Sequence, residues 1–279
     1  MIRNAMTIDV EDYFHVSAFA SHIPREAWDI LPCRVERNID QILLLLDEKQ
    51  IKATFFTLGW IAERYITMIR RIAENGHELA SHGCEHHRVS NMNSAQFRED
   101  IIKSKKLIED IGGNPVWGYR APSFSINSQN LWAFDLLEEA GYRYSSSIYP
   151  VRHDHYGMPD APRFAFYPNP TQNLLELPVT TVSLFGRNIP AGGGGYFRLW
   201  PYSISRWFIH KVNNQDHRPA IFYFHPWEMD PAQPRQQGIN FKTRFRHYLN
   251  LDRMEKRLKL LINDFEWGRM DQIFLDQAG

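Results

Sequence analysis

His82 and His86 lie four residues apart in Ser81-His82-Gly83-Cys84-Glu85-His86-His87. One helical turn or a curled loop brings two imidazoles at that spacing to one point. This suits a divalent first-row metal, with zinc the usual occupant. Taken alone, the pair could also read as two solvated surface histidines. Cys84 falls on the far side if the segment is helical and is not counted as a ligand, and His87 can point elsewhere, toward a phosphate or a carboxylate. A carboxylate usually completes such a set, and Asp9, Glu11 and Asp12 crowd the end of the first apolar run. Acids so close repel one another unless a cation neutralises them, although a solvated acidic loop would look the same. Two imidazoles and one carboxylate leave coordination positions open for water and substrate, the pattern of a hydrolytic metal. Two more residues end apolar runs: Arg120 in Gly118-Tyr119-Arg120-Ala121-Pro122, and His225 in Phe222-Tyr223-Phe224-His225-Pro226-Trp227-Glu228. Alone, Arg120 would pass for a surface salt-bridge partner and His225 for a satisfied core histidine. Together with the acids and the histidine pair they describe a single pocket.

The elements that would position them are legible from periodicity. Strands are expected over residues 5–10, 53–57, 78–80, 116–119, 142–145 and 220–224, with a further extended run at 176–182. Helices are expected over 35–48, where Ile39, Ile42, Leu43 and Leu46 share a face, over 61–74, closed by Asn75-Gly76, and from an N-cap at Ser94 to 111, closed by Gly112-Gly113. Further helices fit 128–140, 202–212 and 251–265. This alternation predicts an α/β fold of parallel strands with helical crossovers, either a barrel or an open doubly wound sheet. Both architectures place their sites just beyond strand ends. Residues 151–195 lose the helical signal among prolines and end in four consecutive glycines, 192–195. No Lys-Ser/Thr follows them, so they read as a flexible or tightly turned loop and not as a phosphate cradle. With no internal repeat and no Gly/Ser linker, residues 1–279 read as a single domain.

Composition narrows the partners. The chain has 279 residues, ample for a buried core, and its 32 Lys+Arg balance its 32 Asp+Glu. Nucleic acid is excluded as a main partner, because neutralising phosphates needs a basic excess. Two cysteines, Cys33 and Cys84, cannot form a disulfide framework. No apolar run is long enough to span a membrane and no secretory signal is visible, so a cytoplasmic location is expected. Aromatic residues make up 14% of the chain, and Trp60, Trp117, Phe124, Trp200 and Trp227 read either as stacking platforms for sugar rings or as core. The stretch 242–259 carries Arg244, Arg246, Arg253, Lys256, Arg257 and Lys259 against few acids. It reads as a solvated helix face or as a docking surface for an anionic membrane or a nucleotide-linked substrate.

The ordered set Thr7-Ile8-Asp9-Val10-Glu11-Asp12, His82-Gly83-x-x-His86, Arg120-Ala121-Pro122 and Phe224-His225-Pro226 resembles the polysaccharide deacetylases of carbohydrate esterase family four, over residues 6–228. Gly193-Gly194-Gly195-Tyr196-Phe197-Arg198 and His225-Pro226-Trp227-Glu228-x-Asp230-Pro231 resemble the subgroup found with exopolysaccharide and exosortase loci, with 229–279 as its own extension. The resemblance implies a distorted (β/α) barrel of about seven strands and metal-dependent removal of N-acetyl groups from sugar residues in polysaccharide or exopolysaccharide biosynthesis. It implies His82 and His86 as metal ligands, Asp9 as general base, Arg120 as the partner that tunes Asp9, and His225 as the acid that protonates the leaving amine. The third ligand is Asp12 or Glu11. The family pattern has two adjacent aspartates, whereas Val10 and Glu11 here separate Asp9 from Asp12; strand alternation favours Glu11 and a chain already turning favours Asp12. At Tyr144-Ser145-Ser146-Ser147 many relatives carry an aspartate before the serines, which touches only a supporting residue. The implied cofactor is a divalent metal, zinc by default, with cobalt, nickel and iron also suited to imidazole and carboxylate. The implied partner is an N-acetylated sugar or oligosaccharide, carried on a nucleotide or a lipid or on neither. The rivals are a same-fold amidohydrolase acting on a cyclic amide, as allantoinase-like relatives do, and a carbohydrate-binding relative without turnover.

Overall fold

The computed structural model describes residues 2–153, 157–170 and 173–275. Strand β1 (Arg3–Val10) is buried at every residue from Asn4 onward, as expected of a parallel strand covered on both faces. Helix α1 (Val35–Asp47) turns Val35, Ile39, Ile42 and Leu46 to the core and leads to β2 (Thr54–Thr57). Helices α2 (Gly59–Arg64) and α3 (Ile66–Glu74) follow, then β3 (Glu78–Ser81), α4 (Ser94–Gly112), β4 (Gly118–Tyr119), α5 (Trp132–Glu139), β5 (Tyr144–Ser145) and β6 (Leu175–Glu176). An antiparallel hairpin, β7 (Thr181–Leu184) and β8 (Arg187–Pro190), stands apart from the main sheet. Helices α6 (Gly194–Leu199) and α7 (Tyr202–Asn214) lead back to β9 (Ile221–Phe224). Then come α8 (Phe241–Tyr248), α9 (Leu251–Asp264), β10 (Glu266–Gly268) and α10 (Met270–Phe274).

All strand pairs of the main sheet are parallel. The order runs β9-β1-β2-β3-β4-β5-β6, and β10 pairs with Arg3–Ala5 at the start of β1. The seven strands curl into a half-barrel within one domain. Its seam, between β6 and β9, is filled by irregular chain: Ile221 N donates to Thr180 Oγ1 (2.6 Å) and Tyr223 N to Gly192 O (2.7 Å). The glycine run is tightly turned here, because a Cβ on Gly192 would lie 2.3 Å from Ile221 O. The extended run expected at 176–182 is interrupted for a plain reason. Pro178 has no N–H for a ladder, so β6 ends at Glu176 and the chain rejoins a strand only at Thr181.

Other departures are local. The helix expected over 61–74 breaks at Tyr65 (φ −120°, ψ 48°). The N-cap of α4 is Asn93, not Ser94: Asn93 Oδ1 accepts from Gln96 N (2.9 Å) and Gln96 Oε1 from Asn93 N (3.0 Å). This reciprocal pair satisfies two orphan donors. The expected helix 128–140 forms only over Trp132–Glu139. Cys33 and Cys84 are unbridged. Among the described residues no helix is long and apolar enough to cross a membrane.

Candidate metal centre and its acid and base

Strand β1 delivers the acids. Asp9 lies on the strand, and one residue past its end Glu11 N turns back to donate to Asp9 O (2.9 Å). Asp9 and Glu11 are 2% and 3% exposed at the carboxyl end of the sheet. Asp12 belongs to a different structure. Its Oδ1 accepts from Tyr13 N (2.7 Å), and its Oδ2 from Val35 N (2.7 Å), Arg34 N and Cys33 Sγ (3.1 Å). It thus caps a 3-10 turn and the start of α1 together. Burial raises its pKa against those hydrogen bonds. The structure separates the two acids that spacing left open: Glu11 lies within 4.8 Å of the ligand-capable atoms of His82 and His86, and Asp12 is not in that group.

The histidines come from a curled loop after β3, not from a helix. Gly83 (φ +75°) and His86 (φ +53°) are both left-handed. Gly83 is required twice over, since a Cβ there would also lie 2.8 Å from Asp100 Oδ2. His82 Nδ1 bonds Arg120 O (2.8 Å), so Nδ1 carries the proton and Nε2 is its ligand-capable atom. Burial lowers the His82 pKa to about 4 despite the Asp9 carboxylate, which keeps the ring neutral as a ligand must be. His86 Nε2 stands 2.9 Å from Glu11 Oε2. That oxygen is buried and receives no aligned hydrogen bond. A buried carboxylate oxygen facing two imidazoles without a hydrogen bond is the arrangement a divalent cation would complete. Burial favours the neutral form of Glu11, yet the imidazoles of His86 and His225 together hold it well below the usual carboxylate range. Cys84 points away, with its N donating to Asp100 Oδ1 (3.0 Å), and His87 is exposed and outside the group.

Arg120 is fully buried and every arm of it is used. Nη1 donates to Asp9 Oδ1 (2.6 Å) and Thr7 Oγ1 (2.9 Å), Nη2 to Ser146 Oγ (3.0 Å) and Nε to Ser146 O (3.2 Å), with Cζ 4.0 Å from the Phe56 ring centre. Asp9 is therefore tied through Oδ1 to a guanidinium whose other arms are fixed by Ser146.

His225, after β9, faces the acids from the other side, with Nε2 3.2 Å from Glu11 Oε1 and 3.9 Å from Asp9 Oδ2. Nδ1 bonds Glu228 Oε2 (3.0 Å), and Glu228 Oε1 accepts from buried Arg198 Nε (2.8 Å). Burial opposes charge on His225, but Glu11 and Glu228 outweigh it and raise its pKa to about 9. Glu228 itself is lowered to about 2 against its burial, chiefly by Arg198. Asp230, the other acid that sequence places near His225, pairs with Arg34 instead. A Cβ on Gly194 would lie 2.2 Å from Glu228 Oε2, so part of the glycine run exists to admit this carboxylate.

Of the residues expected to share a pocket, Asp9, Glu11, His82, His86, Arg120 and His225 come together, whereas Asp12 stands apart as a cap. Sequence reading missed Thr7, Ser146 and Arg198 as their supports. Thr7 was visible as the residue two before Asp9 on one strand face, and Arg198 as the only charge in the glycine-led run. The aromatic platforms behave as packing: Trp60, Phe124 and Trp227 are 4–6% exposed. Trp227 is stacked between His225 (5.0 Å) and His247 (4.2 Å).

Comparison with known proteins follows this geometry. Residues 27–145 match the family model described as polysaccharide deacetylase, and residues 146–275 match a domain of unknown function, DUF3473. The boundary between the two matches falls inside one sheet, at the end of β5, and the pocket draws on both sides of it. A peptidoglycan-N-acetylglucosamine deacetylase of Bacillus cereus is 33% identical over 94 residues, covering 33% of this chain and 34% of that protein. A peptidoglycan deacetylase of Helicobacter pylori is 29% identical over 113 residues, covering 40% and 38%. The chain thus spans well under half the length of these curated relatives. Among solved structures, the Puue allantoinase superposes with a TM-score of 0.61 at 14% identity, over 98% of this chain and 88% of its own, a likeness of fold.

Proposed function

We propose that this chain, whose residues 27–145 match the polysaccharide deacetylase model, is a divalent-metal-dependent hydrolase removing N-acetyl groups from sugar residues in polysaccharide biosynthesis. The observation that carries the reading is the meeting of Glu11, His82 and His86 within 4.8 Å, flanked by an Arg-held carboxylate and a carboxylate-held imidazole. Glu11, His82 and His86 would hold the cation, zinc by default, with cobalt, nickel or iron compatible with the same donors. When bound, the cation supplies positive charge that polarises the acetyl carbonyl and makes water more acidic.

The remaining chemistry belongs to the chain. Amide hydrolysis forms a C–O bond and breaks a C–N bond, moving one proton off water and one onto nitrogen. Asp9, fixed by Arg120, takes the proton from the attacking water. His225, protonated through its contacts with Glu228 and Glu11, gives the Nε2 proton to the departing amine. Arg198 keeps Glu228 charged, so Glu228 holds the Nδ1 proton in place while Nε2 works. Products are acetate and a free amino sugar.

Acetate release from N-acetylated chito-oligosaccharides by the metal-loaded chain, abolished by a chelator and restored by zinc, is the expected result. His82→Ala should lower metal content well below one per chain while preserving the far-UV circular dichroism. Hydrolysis of a cyclic amide releases no acetate and a binding protein turns over nothing, so product analysis separates both rivals. Turnover unaffected by complete metal removal would overturn the proposal.

A further inference from the structure

Helix α8 presents its apolar residues outward. Phe241 and Phe245, four residues apart and so on one face, are 81% and 45% exposed. Their rings are stacked at 6.2 Å. The helix is well formed, since Asn240 Oδ1 accepts from Thr243 N (2.8 Å) at its start. Its one buried side chain is His247, whose Nε2 bonds Gln233 Oε1 (2.6 Å) and whose ring stacks on Trp227. His247 lies about 200° round the helix from Phe245, so the anchored side and the aromatic side are opposite one another.

Cations surround the aromatic pair. Lys242, Arg244 and Arg246 are exposed on the same helix, and no Asp or Glu occurs from Gly238 to Leu251. In a chain with zero formal charge this is a local concentration and not a general bias. Aromatic side chains projecting from a basic helix suit an interface with an apolar layer behind an anionic one, where rings enter and cations stay at the headgroups. A second copy fits poorly. A two-fold interface would set Lys242, Arg244 and Arg246 against themselves, and two rings are far short of the roughly 1,200 Å² that a stable interface buries.

We propose that α8 is a docking surface for an anionic lipid bilayer, holding the chain against a membrane that it does not need to span. The stacked series His225, Trp227 and His247 links this helix to the candidate acid. The inference stands independently of the deacetylase reading, because it concerns lipid binding without substrate.

Co-sedimentation of the full chain with phosphatidylcholine vesicles carrying about one-third phosphatidylglycerol tests it. Pelleting is expected with these vesicles, weakly or not at all with pure phosphatidylcholine, and should fall steeply between about 0.05 M and 0.5 M salt. The double variants Phe241→Ala/Phe245→Ala and Lys242→Glu/Arg244→Glu should each lower the partition coefficient at least about tenfold. All four side chains are exposed, and a melting curve for each variant checks that it stays folded. Equal binding to neutral and anionic vesicles, or unchanged binding in both variants, overturns the proposal. So does a concentration-dependent dimer, lost in the phenylalanine variant, in a chain that ignores vesicles; that result assigns the face to a second copy.

Discussion

Glu11 and Glu78 are buried to 3% and 4% exposure at opposite ends of the same curled sheet, and their surroundings differ in kind. Glu78, at the start of β3, is saturated with donors. Its Oε1 accepts from Tyr144 OH (2.8 Å), and its Oε2 from Thr54 Oγ1 (2.5 Å) and Asp271 N (3.2 Å). Thr54 Oγ1 in turn accepts from Met270 N (2.8 Å), so the knot fastens α10 beneath the sheet. With burial and the nearby Asp271 against its charge, Glu78 is pushed up to about 8. Glu11, past the other end of the sheet, is held charged by imidazoles while one oxygen goes without an aligned hydrogen bond. A structural acid is distinguished here by complete hydrogen bonding, and a chemical one by charge left facing a common centre.

The largest expected effect tests whether the upper end is chemical at all. Asp9→Asn and His225→Ala should each keep their metal, measured by atomic absorption, yet lose about 10²–10⁴-fold in turnover. Near-wild-type rates in either would place that residue among the structural groups.

Next comes the contrast between neighbouring acids. Glu11→Gln should weaken metal affinity about 10–100-fold or more. Asp12→Asn should leave metal content unchanged but lower stability by about 1–3 kcal/mol in denaturant titration, since an amide nitrogen would face backbone donors. The opposite ranking would move the third ligand to Asp12.

Gly194→Ala probes the support of the acid. The added methyl displaces Glu228 from His225, and turnover should fall about 10–100-fold with metal retained. Unaltered kinetics would show that Glu228 is dispensable.

The smallest effect belongs to the lower end. Glu78 takes its proton at about 8 in the folded chain against an ordinary 4.5. The folded state therefore binds more protons across that window, and wild-type stability contributed by this group is lost as pH rises from about 4.5 to about 8. Glu78→Gln lacks that slope. Its melting temperature should sit furthest below wild type near pH 5 and draw closer by pH 9, and a constant difference would refute the raised value.

Much of this was legible along the chain. Periodicity gave the order of β1 to β5 and the principal helices, because apolar spacing reports which faces must be buried. His82 and His86 stood out by their four-residue spacing, and Asp9, Arg120 and His225 because each lies at the end of an apolar run. Elements whose formation depends on neighbours were less visible. β6 and β10 are two and three residues long and exist only by pairing with an established sheet, and α8 was hidden within a basic stretch.

Sequence by itself determined the parallel α/β plan and which residue types gather at its mouth, because both follow from side-chain chemistry at regular spacing. Only the tertiary structure sets Glu11 beside His82 and His86 and holds Asp12 apart from them. That separation turns on Tyr13, Cys33, Arg34 and Val35 reaching one carboxylate first, and residues some twenty positions away meet Asp12 only once α1 has packed. The same holds for Arg198 and Glu228, thirty residues apart, whose ion pair needs Gly194 to leave space between them.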